Sequence, residues 1–261
     1  MGQEPVIVIG GGVGPMAGVA LHAKIIENTL TDGTDQSHLC VHHYSCPALV
    51  PDRTAWLLDH SAPDPAAGMA EIFITASRSL GKSALAGIAV GGVPCNTFHA
   101  PAIFDRFKSM LSESAVNIRI VNMLDESIAF MRTSLAPGSV VGVMSTSGTR
   151  MSGVYDDLLA RAGYKVLYVP QDDQALLHAA IYDTVWGIKA VMPVSSRAVD
   201  TVRAMASSLI DRGAKAVILA CTELPLALGG LEFRGVPLVD PVLALARAMI
   251  REAVPGKLKL L

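Results

Sequence analysis

The chain has 261 residues, 51% of them hydrophobic, 17% charged and 5% aromatic, with a formal net charge of −2. That is enough for one large or two ordinary α/β domains, and so even a charge balance leaves no electrostatic footprint for nucleic acid or an anionic membrane surface. Mean hydropathy is +0.43, but the longest uncharged stretch, Ser83 to Phe104, is broken by glycines and prolines and reads as the core of a soluble protein, not a membrane span.

From the N-terminus, Met1-Gly2-Gln3-Glu4-Pro5 carries an acid where a secretory leader is basic. Gly2 lacks the Ser or Thr at position 6 that myristoylation requires, because Val6 stands there. Short β-branched runs then alternate with longer helical patterns. Strands are predicted at Val6–Gly10, Leu39–Tyr44, Gly87–Gly91, Ile118–Met123, Val140–Met144, Lys165–Val169, Ala214–Ala220 and Pro237–Val239. Helices are predicted at Met16–Asn28, Ala67–Leu80, Ile103–Leu111, Val154–Ala162, Ser195–Arg212 and Val242–Glu252. Over the stretch Met16–Leu30, Val19, Ala23, Ile26 and Leu30 share one apolar face at helical spacing. Strand–helix alternation of this kind predicts an α/β fold with mostly parallel sheets.

The two halves echo one another. The first opens with a strand running into Gly11-Gly12-Val13-Gly14-Pro15 and carries a later strand ending at Val93-Pro94-Cys95-Asn96-Thr97. The second opens with a strand running into Ser145-Thr146-Ser147-Gly148-Thr149 and carries one ending at Leu219-Ala220-Cys221-Thr222-Glu223. Ala136-Pro137-Gly138 is a linker signal. The expectation is two similar lobes related by a pseudo-twofold, each a mostly parallel four-stranded sheet flanked by helices. Residues 1–134 carry Cys95 and residues 135–261 carry Cys221, with the final helix free to pack on the first lobe. Ligands of α/β sheets bind at the strand C-termini, so the active site is expected in the cleft between the lobes.

Four cysteines without a secretory signal predict reduced thiols and a cytoplasmic location. Small buried cysteines at strand ends are common and mostly inert; the matched placement of Cys95 and Cys221 is what singles them out. A thiol ahead of a helix N-terminus sees unpaired amides and the positive end of the dipole, which favours thiolate. Two such thiols facing one cleft suit a two-base reaction, one removing an α-proton while the other delivers a proton to the opposite face. Donors at the substrate carboxylate would stabilise the charge that develops.

Four motifs in order resemble those of the aspartate/glutamate racemase family. Pro94-Cys95-Asn96-Thr97-Phe98-His99 is similar to its Pro-Cys-Asn-Thr-Ala-His, and Ala220-Cys221-Thr222-Glu223-Leu224 to its Gly-Cys-Thr-Glu-Leu. Gly11-Gly12-Val13-Gly14-Pro15 is similar to its Gly-Gly-Met-Gly-Pro, and Pro51-Asp52-Arg53-Thr54 matches its Pro-Asp-Arg-Thr. The resemblance spans residue 6 to about 226. It implies a cofactor-independent amino-acid racemase for aspartate or glutamate, with Cys95 and Cys221 catalytic, and a homodimer. Asn96, Thr97 and Thr222 would contact the substrate's polar groups, Arg53 a carboxylate, and Lys189, Thr146 and Thr149 the substrate from the second lobe. Gly12, Gly14, His99 and Glu223 would be supporting residues. Phe98 for Ala and Gly18 for the usual Thr are departures that bear on the pocket. Hydantoin racemases, arylmalonate decarboxylases and maleate isomerases share the superfamily; two cysteines argue against the decarboxylase, and Arg53 for a dicarboxylic substrate. A dicarboxylate-binding protein without turnover is the non-enzymatic alternative.

The remaining signals have plainer readings. Arg53 alone reads equally as a solvated surface residue, although its planar fork suits a carboxylate; Asp52 reads as a turn residue. Lys189 alone reads as a helix-end cation, and nothing marks a Schiff-base lysine for a pyridoxal cofactor. Gly12-Val13-Gly14-Pro15-Met16-Ala17 fits a dinucleotide fingerprint, but the second strand ends in Ser45-Cys46-Pro47 with no acid for a ribose. The expectation is therefore no cofactor. His38, Cys40 and His42 alternate on one strand face, a spacing a zinc site could use, but a strand buried at a sheet centre with no second ligand pair nearby predicts no metal. The methionines sit at core-like spacings and read as packing.

Overall fold

The computed structural model describes residues 5–80 and 89–261. Strands β1 (Val6–Gly11), β2 (Cys40–Ser45), β3 (Ala89–Gly92) and β4 (Arg119–Ile120) form a four-stranded sheet in the order β2-β1-β3-β4, every pairing parallel. Strands β5 (Val140–Ser145), β6 (Lys165–Tyr168), β7 (Ala216–Ala220), β8 (Glu232–Phe233) and β9 (Val236–Val239) form a second sheet in the order β6-β5-β7-β9-β8. Without β8, the two sheets have the same order: second strand, first, third, last.

The second sheet therefore has five strands where four were expected. The extra one is antiparallel, paired Phe233 to Val236 across a two-residue turn in which Arg234 and Gly235 have φ of 52° and 72°. Positive φ at both central positions is the requirement of a tight type I′ hairpin. Two other expectations are corrected. Strand β2 lies at the edge of its sheet, half-buried, not at its centre. The run Ile118–Met123 is strand only over Arg119–Ile120, because the Asn122 side chain accepts from the amides of Leu124 and Asp125 and starts the helix Met123–Arg132. Of the expected strand Gly87–Gly91, Gly87 and Ile88 lie outside the described residues.

The chain divides into two compact units. One runs through Glu126 and takes in Val242–Leu261; the other is Ser127–Pro241. The division falls inside the helix Met123–Arg132 and not at residue 134, and the last helix, Pro241–Ala253, joins the first unit. Its Leu245 and Met249 lie so close to β3 that a Cβ on Gly92 would meet them at 3.0 and 2.7 Å.

In the first unit Val6 and Val8 face the helix Pro65–Leu80, whose Phe73 packs edge-on against Phe107. Gly10 and Gly91 let that helix settle on the sheet, since a Cβ on either would lie 2.5 Å from the Phe73 ring. The first helix, Pro15–Asn28, buries Ala17, Leu21 and Ile25. The face read from the sequence, Val19, Ala23, Ile26 and Leu30, is instead its exposed side. In the second unit Met144, Val217 and Leu219 pack with Leu177, Ile181, Val202 and Leu209 from the helices Gln171–Tyr182 and Ser196–Asp211. Burial of such side chains contributes about 1.5–3 kcal/mol each. Among the described residues, no helix is long and apolar enough to cross a membrane.

Gly68 shows how tightly the first unit is closed: a Cβ there would lie 1.8 Å from the Leu49 carbonyl oxygen. Helix propensity alone favours alanine in a helix by about 1 kcal/mol. The clash is with backbone and must win, so Gly68→Ala is expected to destabilise the protein by about 1–3 kcal/mol. A urea titration reads the sign; a gain in stability would contradict this packing.

Candidate active site

Parallel strands end at one edge of a sheet, and both groups of sequence-predicted residues stand at that edge of their own unit. In the first, β1 and β3 run side by side with Ile9 opposite Gly92, so the loop Gly12–Gly14 and the segment Val93–Thr97 leave from adjacent strands. In the second, Ser145 is opposite Ala220, and Thr146 and Cys221 are the next residues on their respective strands.

Around Cys95 the backbone is tightly specified. Its amide donates to the Val93 carbonyl at 2.9 Å, a narrow turn about Pro94, whose ring fixes φ. The turn Thr97–His99 follows, then the helix Pro101–Glu113. Cys95, Asn96, Thr97 and His99 are all buried. Gly12 has φ of 92°, and a Cβ there would meet the Cys46 and Pro47 backbone at 2.7 Å, so glycine is required on both counts. Gly14, φ 90°, precedes the first helix. Arg53 begins the short helix Arg53–Leu58, which Asp52 caps by accepting from the Ala55 amide at 2.7 Å. That helix rests on the turn Thr97–His99, and the Arg53 guanidinium, half-buried, donates to the Pro51 carbonyl at 3.2 Å.

His99 is the latch of this loop. Its Nδ1 bonds the Cys95 carbonyl at 2.8 Å, while its Nε2 accepts from the Met123 amide at 3.3 Å. Both bonds together require the neutral imidazole with its proton on Nδ1. Burial lowers its pKa to about 4, against the Cys95 carbonyl, which pulls it upward. The Phe98 ring, a departure from the resembling motif, is fully buried beside Phe104 and Phe107, so it acts on the loop through the core. Gly18, the other departure, lies under His43: a Cβ would meet its Nε2 at 2.4 Å. That Nε2 is buried without a hydrogen-bond partner among the described residues, and burial, then the neighbouring His22, lowers the His43 pKa.

In the second unit a different network surrounds the thiol. Cys221 Sγ donates to Glu223 Oε2 at 3.0 Å, and the Thr222 hydroxyl donates to the same oxygen at 3.1 Å. Lys189 Nζ is ion-paired with the other oxygen, Oε1, at 2.5 Å and stands 5.2 Å from the centre of the Tyr182 ring. Thr146 caps the helix Ser147–Met151, accepting from the Thr149 amide at 3.2 Å, and the two hydroxyls are 3.1 Å apart.

The expectation of a helix dipole favouring thiolate does not hold for Cys221. Only the four-residue helix Leu224–Ala227 follows it. Burial pushes the thiol well above its ordinary pKa, and the Glu223 charge adds to that against the opposing Lys189. Burial works against the Lys189 ammonium, but Glu223, with Cys221 and Tyr182, outweighs it and raises the lysine's pKa. Tyr155 is a neighbour that the sequence reading missed: fully buried, its phenol is raised by burial, then by Tyr168 and Cys221. Its only sequence signal is a tyrosine on the apolar side of the helix Val154–Arg161. Among the described residues no three His, Cys, Asp or Glu side chains are grouped to hold a metal ion.

The His99 latch has a pH consequence. The folded pKa of about 4 lies below the ordinary 6.5, so the unfolded chain binds the proton first. The stabilisation is present above pH 6.5 and is lost as pH falls toward 4. Between pH 7 and 5 this amounts to about 2 kcal/mol. Urea titrations at both pH values should show His99→Gln losing less stability on acidification than the unsubstituted protein by that amount; equal losses would show that the ring is not held neutral.

Residues 11–249 match the family described as Asp/Glu/Hydantoin racemase. Among solved structures the chain is similar to a Picrophilus torridus aspartate racemase, at 25% identity over 98% of this chain and 96% of that one, with a TM-score of 0.73. An aspartate racemase homologue from Pyrococcus horikoshii shares the fold at 21% identity, over 97% of this chain and 99% of that one, with a TM-score of 0.64. With a family match over most of its length and the α/β topology of solved racemases, the chain belongs to the Asp/Glu/hydantoin racemase family.

Proposed function

We propose that this protein is a cytoplasmic, cofactor-independent racemase of an acidic amino acid, aspartate or glutamate, with Cys95 and Cys221 as its two acid–base groups. The observation that carries the reading is the repetition inside the chain. Each sheet has the order second, first, third, last, and in each the buried cysteine comes just after the third strand, β3 or β7. The Picrophilus torridus protein, 25% identical, is named an aspartate racemase, which favours a dicarboxylic substrate.

In this mechanism one cysteine, as thiolate, takes the α-proton and becomes a thiol. The other, as thiol, gives its proton to the opposite face of the carbanion and becomes the thiolate, so the inverted product leaves with the proton count unchanged. The barrier lies in the charge on the carbanion and its carboxylate. Asn96, Thr97 and Thr222 would donate to the α-carboxylate or hold the amino group, Arg53 would take a carboxylate by its planar fork, and Thr146 and Thr149 would line the substrate loop. Gly12 and Gly14 let the first loop make its turn, and His99 holds the Cys95 carbonyl.

Positioned acid–base groups contribute about 10²–10⁴-fold each. Cys95→Ser and Cys221→Ser are each expected to reduce racemisation of aspartate or glutamate by at least about that factor, read by chiral chromatography. In deuterated water each variant should retain α-proton exchange with one enantiomer at most. Full activity in either variant would refute the two-thiol mechanism. Turnover of a hydantoin or maleate in place of both amino acids would move the reading to another member of the superfamily, and binding of the amino acids without isotope exchange would leave a dicarboxylate-binding protein.

We further propose a homodimer. The exposed apolar stripe Met16, Val19, Ala23, Ile26 and Leu30 is arranged about its small central residue, with Met16 and Leu30 equally far to either side. A second copy related by a twofold axis would thus meet apolar side chains at both ends. Light scattering at micromolar concentration should give twice the chain mass, and Ile26→Glu should give one chain; a monomeric parent would refute the proposal.

A further inference from the structure

The two thiols do not stand in equivalent surroundings. Cys95 Sγ has no side-chain hydrogen-bond partner among the described residues, whereas Cys221 Sγ donates to a carboxylate at 3.0 Å. That bond exists only while the sulfur holds its proton. Ionised, the sulfur would face Glu223 Oε2 charge to charge at the same distance, in surroundings where Cys221 and Glu223 are both nearly inaccessible to water and such repulsion is poorly screened.

Glu223 is fixed in that position. Thr222 donates to the oxygen that receives the thiol, and Lys189 holds the other. Lys189 is itself positioned by the main chain beyond the helix Gln171–Tyr182, where its amide donates to the Ile181 carbonyl at 3.1 Å. Beside Glu223 and Lys189, the Tyr155 phenol on the helix Val154–Arg161 interacts with the Cys221 sulfur, and the Tyr182 ring on the helix Gln171–Tyr182 lies against Lys189. The helix Ser196–Asp211 contributes only apolar side chains, Ala198, Val202, Met205, Ala206 and Leu209, to the same core. Lys189 lies on the far oxygen of Glu223, and its charge favours the thiolate, but burial and the nearer Glu223 oxygen outweigh it.

We infer that Glu223, clamped by Lys189, is a positioning residue that keeps Cys221 a thiol in the resting enzyme, so that Cys221 starts as the proton donor and Cys95 as the group able to serve as base. This rests on the two-thiol reading above and adds a direction to it: the resting enzyme is set to take the enantiomer whose α-hydrogen points at Cys95. For the opposite enantiomer the proton must first leave Cys221 and one must reach Cys95. Because enantiomers have equal free energies, kcat/KM is the same in both directions at every pH. The asymmetry therefore divides between kcat and KM and is read most directly on the sulfur.

The test is to label the protein with cysteine carrying carbon-13 at Cβ and follow both thiols by NMR against pH, with Cys221→Ser assigning the signals. Cys221 is expected to titrate above Cys95 and above the free-thiol value of about 8.5. Glu223→Gln, nearly isosteric, should lower the Cys221 midpoint by about 1–3 pH units and leave Cys95 in place, while Glu223→Asp should restore part of the elevation. Should the variants unfold at alkaline pH, iodoacetamide alkylation between pH 6 and 8, read by mass spectrometry, replaces the titration: Cys221 should be the slower thiol and Glu223→Gln should accelerate it alone. A Cys221 midpoint at or below that of Cys95, or one unmoved in Glu223→Gln, overturns the inference. These measurements need no turnover, so loss of the racemase reading and loss of the Glu223 clamp are separate results.

Discussion

Parallel strand pairing is the constraint from which the rest follows. Two parallel strands cannot be joined by a tight turn; the chain must return over the sheet, usually as a helix. Every strand of such a sheet then ends on the same edge, and every loop that follows a strand is gathered there. In the first unit the pairing of Ile9 with Gly92 brings out the glycine loop and the Cys95 segment side by side; in the second, Ser145 beside Ala220 does the same for Thr146 and Cys221. The cores behind them, Phe73 with Phe107 on one sheet and Leu177, Ile181 and Val202 on the other, keep these edges rigid enough to hold a side chain in one place.

On this shared plan the two units differ in their electrostatics. The Cys95 loop is held by a neutral imidazole that satisfies two backbone groups and brings no charge. The Cys221 loop is held by a buried carboxylate, which burial would make costly without its lysine. Repetition of topology has given two comparable positions for sulfur, and the residues two and four places beyond each sulfur, Glu223 and His99, make them chemically distinct.

The sequence made the alternation of strands and helices legible, and with it the positions of both cysteines, because continuous Val, Ile and Leu runs of the interior strands have few other readings. What stayed hidden depends on partners distant in the chain. Periodicity finds an apolar face on the first helix but does not say what it meets, and the face found there is exposed while Leu21 and Ile25 turn inward. Whether β2 lies at an edge or a centre is decided by which strands pair, which no local pattern encodes. The hairpin before β9 turns on Arg234-Gly235 in place of the familiar Asn-Gly. The helix Gln171–Tyr182 lacks a sharp apolar stripe, since Leu176 and Leu177 stand together on neighbouring faces. Lys189 and Glu223 are both visible in the sequence, but their pairing joins segments that only the fold brings together, so Lys189 read as a substrate cation while its observed partner is a carboxylate of the protein itself.

Gly18 and His43 belong to different elements, a helix and an edge strand, yet the imidazole occupies the space a Cβ on Gly18 would need. Neither position is therefore free to drift alone: a chain that gains a threonine at 18 must turn His43 aside or exchange it for something smaller, and a chain that keeps the imidazole must keep the glycine. The two sites form an epistatic pair, and descendants of this sequence would be expected to cross between the two states by paired exchange, with the intermediate carrying both bulky residues as the barrier.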